Sequence, residues 1–283
     1  MPRLLVLDID GTLLDPSDIV TPVVHDAITA ARNQGVEVAL ATGRRLESTQ
    51  PLVEEVGIAL PLVLYNGALV WSTRRQRAIE QVAFTPELLD TLITRVFDAG
   101  MAPILLQGPG RQPERVIMAA DMPQGDLAER FVGPRRAEVN EVPVREIPRL
   151  PDILTVDVFG PEDQLRGLTS ALEAEGFAVF HAGPLGWEAD PPNWAANIHM
   201  PGVSKAMGVG LLAERLGITM RDVVAVGDGE NDMPLLEAAG LGVAMGNAPL
   251  YVQQRADAVV RGHDEDGVAE AIERFVLGQP IRS

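Results

Sequence analysis

Two aspartates near the start of the chain carry the first chemical signal. Asp8 follows directly on the apolar run Leu4-Leu5-Val6-Leu7, and Asp10 lies two residues further on. In an extended chain that spacing points both carboxylates the same way. Close carboxylates repel and need a cation or a shared proton. The pair therefore suits a nucleophile with a general acid/base, or a Mg²⁺ site of hard oxygen ligands. Gly11 permits a sharp turn, and Thr12 is placed to hydrogen-bond a neighbouring carboxylate. A lone Asp-x-Asp occurs by chance on many surfaces. Asp8-Ile9-Asp10-Gly11-Thr12-Leu13, attached to the end of a buried strand, is a much stronger signal.

The same context recurs twice. The run Val36 to Ala41 ends in Thr42-Gly43-Arg44, which offers a hydroxyl and open backbone N–H groups suited to a phosphate oxygen. An ordinary strand-to-helix turn would read the same way. Val223 to Val226 ends in Gly227-Asp228-Gly229-Glu230-Asn231-Asp232. Helix capping accounts for Asn231 or Asp232, but not for an acidic cluster beside an apolar strand. The basic residues are 22 arginines and a single lysine, Lys205. A chain this averse to lysine keeps one for a task that needs a compact ammonium, such as a point contact to phosphate. Lys205 follows Ser204 at a predicted helix start, where a cation is unfavourable unless an anion lies near. A solvated lysine is the alternative.

The elements that must position these residues alternate as βαβ, the rhythm of a doubly wound parallel sheet. Leu4–Leu7, Val36–Ala41, Leu62–Tyr65 and Val223–Val226 read as buried strands, and Thr21-Pro22 opens a helix closed by Gly35. Ser204 caps a helix through Leu216. Between these stretches the pattern changes. Ala78–Phe84 and Ile153–Phe159 each read as a strand followed by a helix and two further strands, the last around Arg115–Ala119 and Gly186–Ala189. Two such βαββ units predict an inserted α+β domain over residues 82–192, within an α/β core of residues 1–81 and 193–283. Thr155 and Asp157 share one face of their strand, which could look toward a ligand but is expected to face solvent. Residues 121–151 are Pro-rich and suggest no regular element.

Composition narrows the function classes. The 283 residues are 46% hydrophobic, enough for a substantial core. There are no cysteines, which excludes disulfides, thiol catalysis and Cys-ligated metals. The net charge of −17 disfavours nucleic acid, and the densest basic cluster, Arg74, Arg75 and Arg77, reads as a solvated loop. No apolar run approaches the roughly 20 residues of a membrane helix, and the first residues do not read as a signal peptide. A cytoplasmic protein is expected, as a monomer or small homo-oligomer.

In this order, the motifs resemble those of the haloacid dehalogenase superfamily, specifically its Cof-type phosphatases. Asp8-Ile9-Asp10-Gly11-Thr12 is similar to the first motif, Thr42-Gly43-Arg44 to the second, Lys205 to the third, and Gly227 to Asp232 to the fourth. Asn66-Gly67-Ala68, Gly242 to Ala248 and Asp264 to Ala269 extend the likeness, while His263 stands where such proteins often carry Asn. The resemblance implies a Rossmann-like core with a large cap inserted between the second and third motifs. It implies that Asp8 attacks phosphorus and that Asp10 acts as general acid/base. Mg²⁺ would be held by Asp8, the Asp10 backbone carbonyl and Asp228, supported by Asn231 and Asp232. Thr42, Gly43 and Lys205 would receive the phosphoryl oxygens, with Arg44, Asn66 and Asn231 also binding substrate. The implied substrate is a small phosphorylated metabolite, and the cap would close over the core to select it. A phosphomutase of the same superfamily and a non-catalytic binder of phosphorylated metabolites are the alternatives.

Overall fold

The computed structural model describes residues 2–57, 61–110, 113–121, 126–133, 139–183 and 193–278. The chain forms two compact units, Met1–Glu80 with Ser204–Ser283, and Gln81–Val203. Among the described residues no helix is long and apolar enough to cross a membrane.

The first unit is built on an eight-stranded sheet. Its first five strands are β1 (Leu4–Leu7), β2 (Glu37–Ala41), β3 (Leu62–Leu64), β4 (Leu69–Ser72) and β5 (Arg77–Gln81). Three more, β12 (Val223–Gly227), β13 (Leu241–Ala244) and β14 (Ala258–Val259), come after the insertion, and the order is β14-β13-β12-β1-β2-β3-β4-β5. From β14 to β3 the neighbours are parallel, and β4 turns back antiparallel to β3. β1 is apolar throughout because both its faces are covered. Helix α1 (Pro22–Asn33) packs on β2 and the C-terminal helical turns, starting at Thr21, whose hydroxyl accepts from the Val24 N–H. The opposite face is buried by α6 (Lys205–Leu216) and α7 (Met233–Ala238), through Val209, Leu212, Leu235 and Leu236. Helix α2 (Leu46–Val56) links β2 to β3.

The second unit has a six-stranded sheet of β6 (Ile104–Gln107), β7 (Arg115–Ala119), β8 (Val139–Val142), β9 (Ile153–Pro161), β10 (Ala178–Ala182) and β11 (Asn193–His199). Its order is β10-β11-β9-β6-β7-β8, antiparallel except for β7 with β8. Helices α3 (Pro86–Asp98) and α5 (Glu162–Ala174) bury Leu89, Leu92, Val96, Leu165 and Leu172 in a core shared with Val156. A short helix α4 (Asp126–Val132) adds Phe131 against Phe159 of β9, with ring centroids 4.9 Å apart.

The structure departs from the sequence reading in several places. β5 stops at Gln81 and is the edge strand of the core sheet, not the first strand of the insertion, because the turn after β4 folds it back. Residues 193–203 belong with the insertion, not the core, since β11 sits between β9 and β10. The predicted strand Gly186–Ala189 lies outside the described residues. The Pro-rich region contributes α4, β8 and a helical turn at Val144–Arg149. Thr155 and Asp157 do not face solvent: both are buried on an interior strand. There Asp157 accepts from the Thr155 hydroxyl at 3.0 Å and from Asn197 Nδ2 at 2.8 Å.

Gly67 and His199 each give a stability test. Gly67 has φ +107°, and a Cβ there would lie 2.0 Å from the Ser204 carbonyl oxygen. Gly67→Ala is expected to cost roughly 2–4 kcal/mol, read as a lower urea midpoint with unchanged slope. The His199 imidazole is buried and donates from Nδ1 to the Leu154 carbonyl at 3.0 Å. Burial holds its pKa down at about 4. The unfolded chain therefore takes up a proton below pH 6.5 that the folded one refuses, and stability falls between pH 6.5 and 4, by up to roughly 3 kcal/mol. The pH dependence of unfolding over that window should be shallower in His199→Gln.

Candidate active site

The parallel register fixes which residues meet. Leu7 stands beside Leu40 and Val226, so Asp8, Thr42 and Asp228 all emerge beyond the same edge of the sheet. This is where open α/β sheets bind ligands. The Asp8 N–H donates to the Val226 carbonyl at 3.0 Å, and the Thr42 N–H to that of Val63 at 2.9 Å.

At the centre lies Lys205, fully buried. Its Nζ donates to Asp8 Oδ1 at 2.8 Å and to Asp232 Oδ1 at 2.7 Å. Ser204 caps α6 by accepting from the Met207 N–H, which fixes where the lysine enters. The solvated-lysine reading is thus overturned, and the two carboxylates supply the anions that the helix start lacked. Burial opposes the lysine's charge, but Asp232 and Asp8 more than reverse this and raise its pKa. Burial also pushes the Asp8 carboxyl up to about 8, helped by Asp232 and opposed by Lys205. The second Asp232 oxygen accepts from the N–H groups of Asp228 at 3.1 Å and Gly229 at 2.9 Å. One carboxylate therefore both holds the lysine and shapes the loop that presents Asp228.

Asp228 accepts from the Thr12 hydroxyl at 2.8 Å, as the sequence suggested. Burial raises its pKa to about 6 against the pull of Thr12. Gly11 makes this approach possible, for it has φ +73° and a Cβ there would meet Asp228 Oδ2 at 2.4 Å. Asn247 Nδ2 donates to the Gly11 carbonyl at 2.8 Å, and Asn247 Oδ1 accepts from the His263 N–H at 2.9 Å. His263 Nδ1 donates to the Leu14 carbonyl at 2.8 Å, so it braces the first loop from behind.

Asp10 departs from the expectation of two carboxylates pointing together. The chain leaves the extended conformation after Asp8 and makes a wide turn over Ile9–Leu13. Asp8 ends up buried beside Lys205, whereas the Asp10 side chain is 59% exposed and paired with Arg44. Arg44 Nε donates to Asp10 Oδ2 at 2.9 Å and Nη2 to Oδ1 at 2.5 Å. That ion pair raises the Arg44 pKa further. The Thr42 hydroxyl accepts from the Arg44 N–H at 3.1 Å. Asn66 follows Tyr65 in a turn where both residues are left-handed, with φ +53° and +50°. Its Oδ1 accepts from Asn231 Nδ2 at 2.9 Å, and a Cβ on Gly43 would come within 3.0 Å of the same oxygen. Thr42, Gly43, Asn66 and Asn231 are thus gathered. The Tyr65 turn and the bracing by His263 escaped sequence reading; the non-Asn residue at 263 was the one signal for the latter.

Asp8, Asp228 and Asp232 each present a carboxylate oxygen within 4.8 Å of the others. Three oxygens of this kind fit a hard divalent cation such as Mg²⁺. The Asp10 carboxylate is not among them, and the Asp232 carboxylate is.

The chain matches the family described as haloacid dehalogenase-like hydrolase over residues 5–272. It belongs to that family. The chain is 30% identical to the YxeH protein of Bacillus subtilis, over 99% of this chain and 100% of that one. It is 29% identical to a phosphoglycolate phosphatase of Methanopyrus kandleri, covering 98% of each chain. Among solved structures, BT1666 of Bacteroides thetaiotaomicron, a phosphatase of the same superfamily, superposes with a TM-score of 0.79 at 26% identity, over 97% of this hydrolase and 95% of that chain.

The raised carboxyls of this hydrolase predict how cation binding depends on pH. With pKa values of about 8 for Asp8 and about 6 for Asp228, protons compete with a metal below neutrality. Mg²⁺ affinity should rise from pH 6 to 8, and binding at pH 7 should release about one proton, read by calorimetry in buffers of different ionisation enthalpy. Without metal, the folded state holds an Asp8 proton that the unfolded chain releases above pH 3.8, so stability should decline from there toward pH 8. Affinity independent of pH, with no proton released, would contradict this assignment.

Proposed function

We propose that this hydrolase is a Mg²⁺-dependent phosphatase of a small phosphorylated metabolite, working through an aspartyl-phosphate on Asp8. The observation that carries the reading is the buried Lys205 amine shared by Asp8 and Asp232, 2.8 and 2.7 Å away. A carboxylate fixed against a cation at a strand end is a positioned nucleophile, and the cation is also where a phosphoryl oxygen gains most. The phosphatase names of the relatives support the same chemistry.

In this reading an Asp8 oxygen forms a bond to phosphorus as the bond to the leaving oxygen breaks. Asp10 delivers a proton to the departing alcohol, then removes one from the water that hydrolyses the acyl phosphate. Arg44 sets where the Asp10 carboxylate stands. The Thr42 hydroxyl, the Gly43 N–H and Lys205 donate to the phosphoryl oxygens, with Asn66 and Asn231 shaping the pocket beside them. Asp8, Asp228 and the Asp10 main-chain carbonyl would hold Mg²⁺, with Asp232 and Asn231 in support. Bound there, the ion would supply positive charge that keeps Asp8 ionised and offsets charge on the phosphoryl group.

Phosphate release from a panel of phosphorylated sugars, nucleotides and two- to four-carbon acids tests this reading. Release should require Mg²⁺, stop with EDTA, and fall by at least about 10³-fold in Asp8→Asn. Mass spectrometry of acid-quenched enzyme should find the phosphoryl group on Asp8. A folded, Mg²⁺-binding protein that releases phosphate from no compound would sink the reading.

A further inference from the structure

The basic cluster set aside as a solvated loop gains a partner in the fold. Arg75 and Arg77 flank the start of β5, and Arg215 comes from the last turn of α6. With Ser72, Ala78 and Ile79 they line a cleft of about 460 Å³ in the core unit. Arg215 lies ten residues along α6 from Lys205, about 15 Å at the helical rise, so this cleft is separate from the catalytic carboxylates.

Its charge is nearly unanswered. Arg215 meets Glu80 at 3.8 Å, whereas Arg75 and Arg77 have no carboxylate partner among the described residues. In a chain of net charge −17, acidic partners are abundant, yet three arginines line this cleft and only one of them meets a carboxylate. Two ordinary causes each explain part of this. Charged side chains deter pairing at an edge strand, and β5 is one. A helix C-terminus favours a cation, which suits Arg215. Neither brings a helix arginine, a turn arginine and a strand arginine to one concavity. Ser72 adds a buried hydroxyl, which accepts from the Arg75 N–H at 3.2 Å and keeps its own proton available to donate.

We propose that this cleft is a second ligand site, which binds a phosphate dianion, free or carried on a small metabolite. Guanidinium forks match phosphate oxygens two at a time, and the volume is that of a small-molecule site.

The test is calorimetric titration of the full chain with inorganic phosphate, and separately with 2-hydroxyethylphosphonate, in EDTA at constant ionic strength. In EDTA the catalytic pocket lacks Mg²⁺, and any phosphate held there instead of in the arginine cleft would bind equally well to a variant altered only in the cleft. Saturable binding of one titrant is expected, and the titrant that binds more tightly identifies free or carried phosphate as the ligand. Arg75→Gln/Arg77→Gln should weaken it tenfold or more, with the thermal midpoint and the turnover of para-nitrophenyl phosphate unchanged. Arg74→Gln removes one positive charge next door but outside the lining, and should leave binding intact. No saturable binding of either titrant, equal binding by the double variant, or an equal loss in Arg74→Gln would overturn the proposal. Because binding is read without metal or turnover, its failure is distinct from failure of the phosphatase reading.

Discussion

A charge without water is the constraint around which the core unit is arranged. The Lys205 ammonium is fully buried, and stripping an ion of solvent costs several kcal/mol unless paired charges offset it. Asp8 and Asp232 provide that offset, and each comes from a different segment: one beyond β1, the other beyond β12. The lysine arrives from the first turn of α6. Displacing any of the three leaves a buried charge uncompensated, so strand register, loop shape and helix position are tied together. In the proposed reading the same three groups also serve the chemistry, since a nucleophilic carboxylate must stand beside positive charge to approach an anionic phosphoryl group.

Close approach around that ion cluster is won by backbone rather than by side chains. Gly11 lets the first loop come against Asp228, Gly227 makes room for the Asp232 carboxylate, and Gly67 lets α6 lie against the turn that carries Asn66. Tyr65 and Asn66 hold left-handed conformations next to it, a cost tolerated where the surroundings over-determine the geometry. Side chains in the pocket are spaced by these backbone contacts, and the hydrogen bonds from Thr12, Asn231 and Asn247 then lock their orientation.

Much of this was legible from residue order. Apolar runs ending in Asp8, Thr42 and Asp228 marked parallel strands with their chemistry at one edge, and the capped starts at Thr21 and Ser204 located two helices to within a residue. The isolation of Lys205 among arginines pointed to a task, and the structure buries it between two carboxylates. Other features stayed hidden because they are set by distant partners. Whether Arg77–Gln81 joins one sheet or another depends on the turn before it, not on its own alternation. Thr155 and Asp157 look like a solvent face until Asn197, on the neighbouring strand, is seen to satisfy Asp157. Asp10 turns to Arg44 because the chain leaves the extended conformation after Asp8, which spacing alone cannot report.

The core sheet is assembled from both ends of the chain, with Leu4 facing Val223 across a parallel pair, while the insertion Gln81–Val203 is continuous. On a ribosome these two parts mature in a fixed order. The insertion has all its strands before β12 has been translated, whereas the first strands wait for neighbours still to be made. Asp8 has its lysine only once residue 205 has emerged, and the trio is complete only when residue 232 has left the exit tunnel. The nascent chain therefore carries Asp8 from the start of synthesis but cannot complete the cluster around it until most of the polypeptide exists.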